Sequence, residues 1–231
     1  MIKSVLIYWR EVVLKKIAVI LSGCGHQDGT ELTEAVSLWI ALSQLKNEAH
    51  FFAPDLSFIP QNHRLGGPEP KESRNVLTES ARICRGRVKP LTNLQTNDFD
   101  GLAFPGGFGA ALHLSNWAQQ GASCEVHPEV EKLILDFYQK SKPVAAICIA
   151  PVLLAKVLGP KKITLTVGES LPVVQEIHKT GALHETCPVD DFITDRDHKI
   201  ITTPAYMYDK AQPHEVFLGI SKLARELTEM A

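Results

Sequence analysis

The chain has 231 residues, of which 45% are hydrophobic and 22% are charged, and its formal net charge at pH 7 is −2. This length suffices to bury a hydrophobic core, and the composition excludes a disordered, collagen-like or coiled-coil protein. The 24 basic residues are balanced by 26 acidic ones, so we expect no nucleic-acid partner. The five cysteines form no C-x-x-C pair, and we identify neither a signal peptide nor a membrane span. We therefore expect a cytoplasmic protein with reduced thiols.

Short β-branched runs alternate with longer helical stretches along the chain. The predicted strands span residues 17–21, 49–53, 102–104, 143–147, 163–167, 192–194 and 199–203. The predicted helices span residues 30–45, 74–84, 126–140, 150–158, 170–180 and 213–230. This alternation is typical of an α/β protein with a mainly parallel sheet covered on both faces. In such sheets the functional groups collect at the carboxyl ends of the strands.

The first predicted helix begins with Thr30 as a plausible N-cap. The helix is predicted from apolar residues at helical spacing, which are Leu32, Val36, Trp39, Ile40 and Leu42. Residues 56–71, which are rich in Pro, Gly and Asn, are predicted to form a loop.

The segment AAICIAPVLLAKVLG places Cys148 between a buried strand and a helix. Such a junction resembles a nucleophile elbow, although no glycine lies two residues to either side. The N-terminus of the following helix would lower the pKa of the thiol and favour the reactive thiolate. The alternative interpretation is that Cys148 is one more small, buried hydrophobic residue.

A glycine-rich loop, FPGGFG at residues 104–109, follows one strand and precedes a helix. The backbone amides of such a loop can turn inward and form an oxyanion hole. No G-K-[ST] follows, which excludes a Walker A loop, and the spacing does not match G-x-G-x-x-G. A purely structural turn is the alternative.

The loop of residues 22–30 leads into Glu31 and Glu34, which lie on one helical turn. Either glutamate could complement the helix dipole, or one of them could face Cys148 and shuttle protons. In the same loop, His26 is the most suggestive of the nine histidines, with a solvated loop residue as the alternative. Cys24 is flanked by glycines and is a second candidate thiol.

Other positions carry weaker signals. Ile149 follows Cys148 directly, so a Cys–His dyad has no local signature. Thr203 and Tyr206, after the last predicted strand, are candidates to line the same crevice. The sequence has no H-E-x-x-H motif and no His/Asp cluster at ligand spacing, so we expect no metal site.

Several long motifs then occur in a fixed order: KIAVILSGCGHQDGTELTEAV, FAPD, SRNVLTESARICRGRVKPL, FPGGFGAALHLSNWA, CIAPVLLAK, CPVDD and ITTPAYM. Together they resemble the ElbB family of enhancing-lycopene-biosynthesis or isoprenoid-biosynthesis proteins, in the class I glutamine-amidotransferase-like superfamily. The resemblance covers residues 16–231 as one domain and leaves residues 1–15 as an N-terminal extension. It implies a flavodoxin-like three-layer α/β sandwich with a nucleophile-elbow cysteine.

The resemblance also implies roles for individual residues. It places the nucleophile at Cys148 and a proton-shuttling carboxyl at Glu34. Glu31 is the less favoured candidate for this carboxyl, because it would need a shifted register. The resemblance places the amides that bind the oxyanion and the substrate at Gly106 and Gly107, and we add Ile149 to this set. Because relatives of the superfamily carry His where this chain has Ile149, the Cys–His–Glu triad is incomplete. We therefore expect neither glutaminase nor peptidase activity.

The function that the resemblance implies is a cofactor-independent and glutathione-independent glyoxalase, a hydro-lyase. It would convert glyoxal, or methylglyoxal, to the 2-hydroxy acid through a hemithioacetal on Cys148. The partners would be a small aldehyde and a second copy of the chain in a homodimer, with no membrane. The alternatives are a non-enzymatic, redox-sensing or regulatory module linked to isoprenoid biosynthesis and an amidotransferase-like subunit that needs a synthase.

Overall fold

The computed structural model describes residues 14–231. The extension predicted for residues 1–15 lies outside the described residues, apart from Leu14 and Lys15. Within the part of the chain that is described, no helix is long and apolar enough to cross a membrane.

The described residues contain eleven strands, which form one large and two small sheets. They are β1 (Lys16–Ile20), β2 (Glu48–Ala53), β3 (Ser57–Phe58), β4 (Arg74–Asn75), β5 (Val88–Pro90), β6 (Gly101–Phe104), β7 (Val144–Ile147), β8 (Thr164–Leu165), β9 (Leu183–His184), β10 (Ile193–Asp195) and β11 (Ile200–Thr203). The large sheet has the order β10-β11-β7-β6-β1-β2-β5. All its neighbouring strands are parallel except β10, which runs antiparallel to β11. The small sheets pair β3 with β4 and β8 with β9.

Helices cover both faces of the large sheet, as predicted. They are α1 (Leu32–Gln44), α2 (Val76–Ile83), α3 (Gly109–Leu112), α4 (Trp117–Gln120), α5 (Pro128–Gln139), α6 (Pro151–Leu158), α7 (Leu171–Lys179) and α8 (Pro213–Met230). Helix α1 packs along α8, and α5 packs on α6 and β7. Strands β6, β7 and β11 are buried along their whole length. This burial is why β6 and β7 are apolar runs in the sequence, whereas β11 ends in the buried residues Thr202 and Thr203. The predicted α/β fold with a flavodoxin-like, mainly parallel sheet is confirmed.

Helix α1 differs from its prediction in two ways. Its N-cap is Glu31, because the hydroxyl of Thr30 accepts the N–H of Ser22 at 2.7 Å instead of capping the helix. The helical spacing also does not mark the buried side, since Leu32, Val36 and Ile40 are exposed. The buried side of α1 instead combines small and apolar residues with two polar ones: Glu34, Ala35, Ser37, Leu38, Ala41 and Leu42.

Other elements depart from their predicted boundaries or were not predicted. The helix predicted from residue 74 begins at Val76, because Arg74 and Asn75 pair with β3 and the Asn75 side chain accepts the N–H of Thr78 at 2.9 Å. The strand predicted at 163–167 does not join the large sheet but forms β8. The edge strand β5 was not predicted, since it has three residues and ends in Pro90.

Candidate active site

Four parallel strands end at the same edge of the sheet and bring the predicted functional loops together. β1 leads into the loop of residues 21–31, β6 into the FPGGFG loop, β7 into Cys148, and β11 into Tyr206. Backbone hydrogen bonds join the first two loops, from the Phe108 N–H to the His26 carbonyl at 2.7 Å and from the Gly109 N–H to the Gly29 carbonyl at 2.9 Å. The predicted crevice at the carboxyl ends of the strands is therefore present.

Cys148 has the backbone geometry of a nucleophile elbow. Its φ is +62°, a left-handed conformation that costs a non-glycine residue about 1–2 kcal/mol. Its N–H donates to the Thr203 carbonyl at 2.9 Å, which fixes the junction between β7 and α6. Ala146 and Ala150 are buried at the positions where an elbow usually has glycine. A strained residue at a strand end, held by its surroundings, is a feature of functional sites.

Glu34 is buried with no exposed surface, and it lies beside Cys148. Its Oε2 accepts the Gly106 N–H at 3.0 Å and its Oε1 accepts the Tyr206 N–H at 3.3 Å. A Cβ on Gly106 would collide with the Cys148 Cβ and would lie 2.5 Å from the Glu34 Oε2. The close approach of thiol and carboxyl therefore requires glycine at position 106. Of the two candidate glutamates, Glu34 is the one in contact with the thiol.

The pair of Glu34 and Cys148 favours its protonated forms. Burial, and then the charge of Glu31, raise the pKa of Glu34 to about 8, against the hydrogen bonds from Tyr206, Cys148 and Gly106. Burial, and then the charge of Glu34, raise the pKa of the Cys148 thiol, although the N–H groups of Gly107 and Ile149 favour the thiolate. The expectation that the helix N-terminus lowers this thiol pKa is thus wrong, because the loss of solvation outweighs the dipole.

Two backbone amides, those of Gly107 and Ile149, lower the pKa of the Cys148 thiol. Within the described residues, neither N–H donates to a backbone carbonyl. The Gly106 amide, by contrast, is already engaged by Glu34, which leaves the oxyanion role predicted for it to Gly107 and Ile149.

Glu31 connects the helix that carries Glu34 to the glycine loop. Its Oε2 accepts the N–H of Glu34 at 2.7 Å, as an N-cap does. Its own N–H donates to the Gly106 carbonyl at 2.9 Å. The side chain also lies on the wall of the cavity above Cys148. Glu31 thus caps α1 and also lines the cavity above Cys148.

The cavity above Cys148 has a volume of about 510 Å³. Its wall is formed by His26, Glu31, Gly107, Phe108, Cys148, Ile149, Ser170, Val173, Tyr206, Met207 and Asp209. The sequence prediction of Tyr206 in this wall is confirmed, whereas Thr203 is buried and donates to the Asp191 carbonyl at 2.7 Å. The prediction missed Phe108, Ser170, Val173, Met207 and Asp209. Phe108 and Met207 lie within the quoted motifs FPGGFG and ITTPAYM, whereas Ser170 and Val173 come from the start of α7 and carry no local signal.

The two remaining candidates lie nearer the surface. His26 is exposed on the cavity wall, and its ring packs edge-on against His63 with centroids 5.3 Å apart. Cys24 is half-buried, is not in the cavity wall, and has a pKa raised first by burial and then by Glu79. No feature of Cys24 marks it as a reactive thiol. Among the described residues there is no group of three or more His, Cys, Asp or Glu that could hold a metal ion.

An elbow cysteine at the edge of a flavodoxin-like sheet, beside a buried glutamate, defines a protein of the class I glutamine-amidotransferase-like fold. The sequence pattern of the DJ-1/PfpI family matches residues 16–202, and the chain belongs to this family.

Several named proteins are similar to this chain over nearly its whole length. The human "Glutamine amidotransferase-like class 1 domain-containing protein 3, mitochondrial" is 42% identical over 226 residues, covering 93% of this chain and 83% of that protein. The rat "ES1 protein homolog, mitochondrial" is 40% identical over 228 residues, covering 93% and 84%. The crystal structure of an "isoprenoid biosynthesis protein with amidotransferase-like domain" from Ehrlichia chaffeensis has a TM-score of 0.86 at 33% identity, covering 93% and 99%.

Proposed function

We propose that residues 16–231 form, as one domain, a cofactor-independent glyoxalase of the ElbB type that converts glyoxal to glycolate. The observation that carries this proposal is the contact between the Cys148 thiol and the buried, protonatable carboxyl of Glu34. The similarity to the isoprenoid biosynthesis protein of Ehrlichia chaffeensis supports the ElbB assignment. Methylglyoxal, which has one more methyl group, is the second candidate substrate.

In the first step, the ionised fraction of Glu34 takes the proton of the Cys148 thiol. The sulfur then attacks one aldehyde carbon of glyoxal, so an S–C bond forms and the C=O π bond breaks. The Gly107 and Ile149 amides would stabilise the negative charge that develops on the oxygen. Protonation of that oxygen gives a hemithioacetal. No metal or glutathione takes part.

In the second step, Glu34 moves a proton between the two carbons. Its carboxylate removes the C–H proton of the hemithioacetal carbon, and its carboxyl returns a proton to the neighbouring carbon. The first carbon becomes a thioester and the second becomes a CH₂OH group, so one is oxidised as the other is reduced. Water then hydrolyses the thioester to glycolate and the free thiol. A pKa of about 8 suits a group that must both accept and donate a proton near neutral pH.

The other functions that we considered fit the site less well. A redox sensor needs an accessible thiolate, whereas burial of Cys148 raises its pKa. A glutaminase or peptidase of this class would use a histidine next to the cysteine, and Ile149 occupies that place. The proposed reaction needs only one thiol, one proton shuttle and the two amides.

The test is the turnover of glyoxal to glycolate by the purified protein without added metal or glutathione. We expect saturable activity that is lost in Cys148→Ser and in Glu34→Gln. The matched control is Cys84→Ser, because the Cys84 thiol is buried in α2 and its contact to the Ser80 carbonyl can be kept by a hydroxyl. Activity equal in wild type and Cys148→Ser would overturn the proposal. Selective oxidation of Cys148 without turnover would favour the sensor.

We further propose that the protein works in a reducing compartment as a homodimer. None of the five cysteines, all of which lie in the described part of the chain, forms a disulfide. Reduced thiols are compatible with the expected cytoplasm and equally with mitochondria, which the names of the human and rat relatives give as their location. The exposed apolar residues Leu32, Val36 and Ile40 on α1 support self-association. Sedimentation of wild type and Val36→Asp tests the dimer, and cell fractionation tests the compartment.

A further inference from the structure

The cavity above Cys148 is much larger than the substrate proposed so far. Its volume of about 510 Å³ falls in the range of about 300–1,000 Å³ that is typical of sites for drug-sized ligands. A two-carbon dialdehyde would occupy a small part of it. The remaining space has walls of defined chemistry, so it can contribute to the choice of substrate.

One part of the wall is apolar. Ile149 lies next to the nucleophile, and Val173 and Met207 are partly exposed beside it. Phe108 has 53% of its surface exposed, which is unusual for a large aromatic side chain. These side chains come from four separate elements, so they form a wall rather than a stripe on one helix. An apolar substituent next to the reacting carbonyl would bury surface against this wall.

The charged part of the wall is acidic. Glu31 and Asp209 are its carboxylates, and among the described residues that line the cavity there is no Lys or Arg. Glu31 is held in place because its Oε2 caps α1 through the N–H of Glu34 at 2.7 Å. Asp209 is exposed. A substrate with a carboxylate or phosphate would meet like charges with no Lys or Arg beside them, which disfavours its binding.

We infer that the site selects uncharged 2-oxoaldehydes with an apolar substituent, and that Glu31 and Asp209 exclude their anionic counterparts. The inference rests on the proposed glyoxalase function for its reaction, and on the cavity wall for its selectivity. Glu31 and Asp209 act here as specificity-determining residues, which is separate from the nucleophilic role of Cys148.

The first arm of the test compares substrates by kcat/KM. The probes are glyoxal, phenylglyoxal, and phenylglyoxal with a carboxylate on the ring. We expect phenylglyoxal to exceed glyoxal by about tenfold or more, as the burial of an apolar group allows, and the added carboxylate to cost at least about tenfold. In the double variant Glu31→Gln with Asp209→Asn, the cost of the carboxylate should fall to within about threefold. Equal kcat/KM for the three probes would overturn the inference.

The second arm measures the selection between neutral and anionic reagents in an assay that needs no catalytic turnover. The rates of Cys148 alkylation by iodoacetamide and by iodoacetate are measured by mass spectrometry, and their ratio is divided by the ratio for a small free thiol. We expect the neutral reagent to be preferred by about fivefold or more, and the preference to shrink in the double variant. The ratio cancels any change that Glu31→Gln makes in the reactivity of the thiol itself.

A matched control removes two charges away from the cavity. Asp197→Asn with Glu229→Gln changes the net charge by the same amount, and both residues are exposed and outside the cavity wall. We expect it to keep the wild-type ratio. If no 2-oxoaldehyde is turned over but the alkylation ratio behaves as expected, the glyoxalase proposal fails and the charge selection stands. A ratio near one in the wild type, or one that the double variant leaves unchanged, refutes the charge selection.

Discussion

The ionisation of Glu34 should make the stability of the fold depend on pH. Burial, and then the charge of Glu31, raise the pKa of this carboxyl from 4.5 to about 8. Between these values the folded state holds one proton more than the unfolded state. The free energy of unfolding should therefore fall as the pH rises, by about 1.4 kcal/mol per pH unit for one proton. The stability that comes from protonating Glu34 is fully present below the pKa of this group in the unfolded state and is lost by about pH 8. The loss of unfolding free energy is on the order of 4 kcal/mol between about pH 5 and 8.

Glu34→Gln removes this titration without removing the side chain. Glutamine has one acceptor oxygen, whereas the N–H groups of Gly106 and Tyr206 each donate to a separate carboxyl oxygen of Glu34. The variant therefore leaves one buried N–H without its acceptor, at a cost of about 1–3 kcal/mol. That cost does not depend on pH. Wild type should be the more stable protein near pH 5, and its advantage should vanish or reverse near pH 8.

Urea unfolding of both proteins at steps across this pH range measures the difference in the free energy of unfolding. His113, whose pKa is lowered by burial, gives the opposite pH dependence in both proteins and cancels in the difference. Glu79→Gln is the matched control, since Glu79 is also buried but pairs with Arg82 at 3.0 Å, and we expect it to keep the wild-type slope. If the difference between wild type and Glu34→Gln is flat from pH 5 to 8, the reasoning about Glu34 is refuted.

Two further predictions concern the neighbours of Glu34. Glu31→Gln keeps an oxygen to cap α1 but removes the charge that raises the pKa of Glu34. The infrared band of the protonated Glu34 carboxyl should therefore titrate at a lower pH than in wild type, and an unchanged titration would contradict this. Gly106→Ala should destabilise the protein by about 1–3 kcal/mol or more, because the added Cβ meets the Cys148 Cβ and the Ile147 carbonyl. Gly101→Ala should cost less in the same urea unfolding measurement, because its new Cβ meets side-chain tips at 3.1 Å and 3.2 Å and the Pro143 carbonyl at an ordinary contact distance of 3.5 Å.

Much of the fold follows from patterns that are local in the sequence. Strands buried on both faces are rich in apolar residues, so β1, β6 and β7 could be recognised, and the alternation with amphipathic helices indicates a parallel sheet. Cys148 could be located because its strand and helix are contiguous in the chain. The resemblance of the chain to a known family then indicated Glu34. These inferences depend on residues a few positions apart.

The properties of the site depend on contacts between distant parts of the chain. The Glu34 carboxyl meets the Gly106 amide 72 positions away and the Tyr206 amide 172 positions away. Only the contact to Gly106 shows that this amide is engaged, which leaves Gly107 and Ile149 of the three predicted residues for the oxyanion. The pKa of Cys148 also depends on such distant contacts, since burial by several loops outweighs the local effect of one helix N-terminus.

The sequence by itself determined the order of the elements, the fold class and the position of the cysteine, because hydrophobic periodicity and turn chemistry act over short stretches. The tertiary structure decided which amides are free, which side of α1 is exposed and which side chains from α7 and the segment after β11 close the cavity. The physical reason is that solvation, charge and shape at the site are sums over neighbours in space, and most of these neighbours are far apart in the chain.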